Sequence, residues 1–139
     1  MSGDRKFSII TAWIAQAILL ISAQAQERRK VPEDFSYPAP PQILQIDKIV
    51  RSNSLSGVIA DPSGAATQEV LVEKLEDNWG KRIEAVFTDS EGFFAFTKSA
   101  PGVYFLKISK PGFDSMLLKV QVTKKRAISR LRVRLRLSP

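Results

Sequence analysis

The chain has 139 residues, with 21 Lys and Arg against 14 Asp and Glu, no His and no Cys, for a formal charge of +7. That length fits one ordinary domain. Without His there is no imidazole base and no Ser-His-Asp or Cys-His nucleophile system. Without His and Cys, zinc, copper, haem and iron–sulfur sites lose their usual ligands, and no disulfide can form. No cofactor and no metal site is therefore expected.

Taken in chain order, Arg5 and Lys6 precede an apolar run over residues 7–21, and Ser22-Ala23-Gln24-Ala25 follows it. A charged start, an apolar run and small residues at Ala23 and Ala25 predict a helical signal peptide over 1–25, cleaved after Ala25. Export to the periplasm or outside the cell follows, with no stable membrane insertion after cleavage. The alternative is a retained anchor. The run is shorter than the roughly 20 residues a span needs. Against that, Arg28, Arg29 and Lys30 follow it closely, as cytoplasmic charges do.

Residues 26–54 read as a tether. Pro32, Pro38, Pro40 and Pro41 are mixed with charge, which forbids a helix and favours extended backbone. Within this stretch, residues 42–50 are apolar enough for a short strand against the domain edge.

From Leu55 onward short apolar runs alternate with turn signals. The runs are 55–60, 69–75, 82–88, 93–97, 103–109, 113–122 and 130–137, separated by segments such as Asp61-Pro62-Ser63-Gly64 and Lys110-Pro111-Gly112. Seven short strands with Gly and Pro turns predict an all-β, antiparallel seven-stranded sandwich over 55–139. Alternation selects the core face. It contains Phe94 and Phe96; Tyr104, Leu106 and Ile108; Leu118, Val120 and Val122; and Leu131, Val133, Leu135 and Leu137.

The turn residues carry a resemblance. Gly57-Val58-Ile59-Ala60-Asp61-Pro62-Ser63-Gly64, Thr88-Asp89-Ser90-Glu91-Gly92-Phe93-Phe94-Ala95-Phe96, Pro101-Gly102-Val103-Tyr104 and Lys110-Pro111-Gly112-Phe113 stand in order and spacing. Together they resemble the motifs of carboxypeptidase regulatory-like domains over about 55–137. The resemblance implies a transthyretin-like Greek-key sandwich that is generally non-catalytic and serves as an accessory or binding module. Hydrolases of the same fold depend on histidines and a YRGS-like terminus. This chain has no His and ends in RLSP, so no catalytic residue is expected.

Asp89 and Gly92 read as a turn clamp, Asp accepting backbone N–H groups two residues on and Gly supplying positive φ. A calcium site using Asp89, Glu91 and Asp61 is the alternative, short of the six or more oxygens calcium takes. Gly102 and Gly112 read as turn glycines. Tyr104 reads as a core ring whose hydroxyl reaches backbone. Trp79, at a hairpin tip lengthened by residues 76–81, is either a partner contact or a ring folded back over the adjoining strand.

The charge is concentrated at the end. Residues 119–139 carry eight Lys and Arg and no acid, whereas residues 26–118 carry 11 basic and 13 acidic residues. Arg130, Arg132, Arg134 and Arg136 recur with period two and so share one strand face. Two roles fit: charges that keep a sheet edge from pairing with another sheet, or an anion-binding ladder for acidic polysaccharide, lipopolysaccharide or a membrane surface. The expected partner is an envelope protein or polysaccharide. No nucleic acid is expected, because no aromatics interleave the arginines.

Overall fold

The computed structural model describes residues 31–38, 42–97, 99–125 and 130–139. The expected signal peptide lies outside the described residues, as do residues 26–30 and 39–41 of the expected tether. Val31–Pro139 forms one compact unit. Its strands are β1 (Ile43–Gln45), β2 (Val50–Ser52), β3 (Ser56–Ala60), β4 (Leu71–Leu75), β5 (Arg82–Phe87), β6 (Phe93–Ala95), β7 (Gly102–Ser109), β8 (Ser115–Val122) and β9 (Leu131–Arg134).

The protein is all-β among these residues, in two sheets. The larger runs β1-β8-β7-β4-β5, with β2 also on β8, and the smaller runs β6-β3-β9. Side chains from both sheets close a single core. Phe94, Ile59, Val72, Leu106, Ile108 and Val120 are fully buried there. Leu131, Val133 and Leu135 join it as alternation predicts. Leu137 does not: it is 63% exposed, because β9 ends at Arg134 and Leu137 makes only an isolated bridge to Phe113.

Each of the seven expected runs overlaps one of β3 to β9, β7 starting one residue earlier than expected, at Gly102. The seven-stranded antiparallel Greek-key description still needs correcting, since nine strands are described and the pairing is mixed. β1 and β2 both run parallel to β8, and β9 runs parallel to β3. Turn signals disclose hairpins between sequence neighbours, here β4–β5 and β7–β8. A parallel neighbour arrives by a crossover instead, and here the crossovers pass between the sheets.

Gly57 of β3 stands opposite Leu131 of β9. A Cβ there would lie 2.5 Å from the Leu131 carbonyl oxygen, so any side chain would push the strands apart. β1 and β2 act as one broken edge strand. Gln45 pairs with Leu117 and Val50 with Val120, so residues 46–49 stand against only two residues of β8; the Ile46 amide still donates to the Leu117 carbonyl, and the chain bows away after it.

Residues 31–38 are likewise docked rather than free. Phe35 and Tyr37 pack edge-on against Phe87, with ring centroids at 5.4 and 6.4 Å, and against each other at 5.1 Å. Phe87 is opposite Leu71, which is fully buried although its neighbours Val70 and Val72 point into the main core. These residues therefore cover the outer face of the larger sheet. The expected tether is thus a strap (31–38) followed by two edge strands, with apolar and aromatic side chains overriding its Pro-rich composition.

Candidate functional site

β9 forms the outer edge of the smaller sheet, and its side chains alternate strictly. Arg130, Arg132, Arg134 and Arg136 are all exposed, between buried Leu131, Val133 and Leu135. The four are not equivalent. The Arg130 guanidinium stands 5.4 Å from the centre of the Phe93 ring. Arg136 Nε lies 3.8 Å from Oδ2 of Asp114, a carboxylate only 2% exposed whose Oδ1 has no hydrogen-bond partner. Among the described residues no carboxylate is within ion-pairing distance of Arg132 or Arg134. The structure thus brings the four arginines to one edge, two of them without an acidic partner among the described residues.

Trp79 folds back over the sheet. Its ring meets Phe105 edge-on at 4.9 Å and is half-buried. The turn that places it holds Asn78 at φ +56° and Trp79 at φ +62°. A left-handed Trp is costly, by about 1–2 kcal/mol, and its packing on Phe105 offsets that cost.

The motif residues build turns. Asp89 Oδ1 accepts from the Glu91 and Phe93 amides at 2.9 and 3.0 Å. Gly92 has φ +73°, its carbonyl accepts from the Ile59 amide, and a Cβ there would lie 2.4 Å from the Ile59 oxygen. Asp61 repeats the arrangement, accepting from the Ser63 amide and hydroxyl and the Ala65 amide. The Ser63 hydroxyl first, then the backbone amides, hold the Asp61 carboxyl below its ordinary pKa. These oxygens serve the loops, and calcium ligation would have to displace those bonds. Gly102 opens β7, while Gly112, at φ +87°, turns between β7 and β8; at both, nothing lies within 4 Å of where a side chain would begin. The Tyr104 hydroxyl donates to the Ala100 carbonyl at 2.6 Å, as expected.

One residue escaped the sequence reading. Arg82 donates to Glu73 Oε1 from Nε and Nη2, and also to the carbonyls of Pro32, Glu33 and Phe35. It clamps the strap to β4 and β5. Beside it the Tyr37 hydroxyl donates to the Glu69 carbonyl at 2.7 Å. Burial, and then the Glu69 charge, push that hydroxyl above its ordinary pKa. The signal available in the sequence was the pair Phe35 and Tyr37, too apolar for an unattached tether.

A model of the carboxypeptidase regulatory-like domain matches residues 54–136. The chain belongs to this family. The matched span runs from just before β3 to just after β9, so the strap, β1 and β2 are additions to the carboxypeptidase regulatory-like domain. No curated protein matches the chain. Among solved structures, a 3-chlorocatechol 1,2-dioxygenase from Rhodococcus opacus 1CP is similar at 14% identity and a TM-score of 0.43, covering 85% of this chain and 77% of that one. A chlorocatechol 1,2-dioxygenase from Pseudomonas putida is similar at 13% identity and a TM-score of 0.39, covering 87% and 77%. At those scores neither likeness bears on activity.

Proposed function

We propose that this carboxypeptidase regulatory-like domain is an exported, non-enzymatic binding module of the cell envelope or extracellular space. Its contact for acidic polymers is the arginine edge of β9. The observation that carries the reading is the exposure of Arg132 and Arg134 on a sheet edge with no carboxylate of the described residues in pairing range. Two guanidinium forks spaced by one strand repeat, about 7 Å, suit the repeating anions of an acidic polysaccharide or lipopolysaccharide. A chain without imidazole or thiol fits binding better than catalysis.

The test is retention on immobilised heparin. The domain is expected to elute at a salt concentration that falls sharply in Arg132→Glu/Arg134→Glu, because each exposed contact is screened by salt. Unchanged retention of that variant removes the edge from the reading. Export is tested by sequencing the N-terminus of the mature protein: a start at Gln26 supports it, and an intact Met1 overturns it.

A further inference from the structure

The outer face of the larger sheet has two halves. The strap covers the first, over Phe87, Leu71 and the Arg82–Glu73 pair. The second half is open. Cross-strand partners share a face, so the register defines its rows. Arg51, Gln121 and Val103 form one, and Lys119, Phe105 and Leu75 the next, with Trp79 lying on Phe105.

This half combines cations with apolar side chains. Lys119 Nζ stands 5.3 Å from the centre of the Phe105 ring. Val103 and Ile49 are each 45% exposed. At its border, where residues 47–49 arch away from β8, Lys48, Ile49, Val50, Arg51 and Gln121 line an open cleft of about 610 Å³. Among the described residues no carboxylate is within ion-pairing distance of Lys48, Arg51 or Lys119. The neighbouring acids, Asp47, Glu76 and Asp77, share the flanking loops with Lys48 and Trp79, whereas Arg51 and Lys119 stand on the strands themselves with no acid in their rows.

We propose that this open half-face is a docking surface for an anionic lipid bilayer, with Lys48, Arg51 and Lys119 on headgroup phosphates and Ile49, Val103 and Trp79 at the headgroup–acyl boundary. The two strand-borne cations, Arg51 and Lys119, call for an anionic partner. Exposed aliphatic side chains distinguish a lipid surface from a polysaccharide, since Ile49 and Val103 gain by leaving water and offer a sugar nothing to bind. Trp with flanking Lys and Arg is the side-chain set that settles at a bilayer interface. The strap covers the other half of this same face. The rows of this face come from the larger sheet alone and the proposal does not rest on the β9 arginines, although β2 approaches β9 where the two sheets meet.

The test uses residues 26–139, which include the whole compact unit and hold Trp79 as their single tryptophan. The domain is expected to sediment with phosphatidylcholine vesicles containing phosphatidylglycerol and not with phosphatidylcholine alone, with a blue shift of Trp79 emission on binding. Each cation near an anionic surface contributes about fivefold to partitioning, so Lys48→Glu/Arg51→Glu/Lys119→Glu should lose about a hundredfold or more. Arg132→Glu/Arg134→Glu should stay within about threefold. If the triple variant melts early, Arg51→Gln/Lys119→Gln replaces it and should lose about 25-fold. Three results overturn the proposal: no vesicle binding, loss of binding in the β9 variant alone, or heparin retention that depends on Lys48, Arg51 and Lys119 while vesicles are ignored.

Discussion

The two flanks of the sandwich are attached by opposite means. At the C-terminal flank, β9 is held by alternation: Leu131, Val133 and Leu135 enter the core while the arginines face water. At the N-terminal flank, the strap has no ladder to the sheet and no side chain in the main core. It is fixed by the Arg82 guanidinium on three carbonyls and by two rings on Phe87. The first attachment belongs to the cooperative core and the second is a local clamp. A local clamp can open without unfolding the rest.

That contrast can be broken experimentally. The largest expected effect is on the C-terminal flank: Leu131→Ala should cost about 2–5 kcal/mol and lower the melting temperature of the whole domain. A small change there would mean that β9 is peripheral. Next is Arg82→Met, which leaves the Glu73 carboxylate, 11% exposed, without its cation. Both groups still reach water, so the loss should be about 2–3 kcal/mol rather than the full value for a buried pair. Its signature is selective: faster proteolysis before β3 with the core protected. Uniform loss of protection throughout the chain would show that the clamp and the core are one unit.

A smaller effect distinguishes the flanks by pH. The Tyr37 hydroxyl has its pKa raised in the fold, so the neutral form is favoured there. Its contribution is complete below the ordinary tyrosine value and is lost as pH rises through the raised one. In a Tyr104→Phe background, absorbance at alkaline pH should show Tyr37 ionising late, together with release of the strap and before the core melts. The smallest effect on stability is expected from Arg132→Glu/Arg134→Glu, within about 0.5 kcal/mol, since both are exposed and neither has an acidic partner among the described residues. A loss above about 1 kcal/mol in thermal melts would mean that the edge charges support the fold.

The C-terminal flank was legible in the sequence because period-two alternation is a local property, and the Asp89–Gly92 clamp because turn chemistry is local too. Trp79 was legible only as a choice between two roles, and its packing on Phe105 decides where the ring lies. The N-terminal flank was not legible. Arg82 lies 47 to 50 residues from the carbonyls it binds, and in a strand it reads as an ordinary outward charge. The parallel pairings were hidden for a similar reason, since β1 and β2 meet β8 only after some 70 intervening residues. Residues 42–50 announced one edge strand, and the arch at 47–49 divides it in two.

That arch has a consequence for life in a crowded solution. β8 would otherwise border the larger sheet with a straight eight-residue row of backbone donors and acceptors, the template on which a second chain could extend the sheet. Two three-residue strands, split where Lys48 juts out, use up that row and replace it with an interrupted one. The protein's own N-terminal residues thus act as a stopper against runaway pairing between molecules.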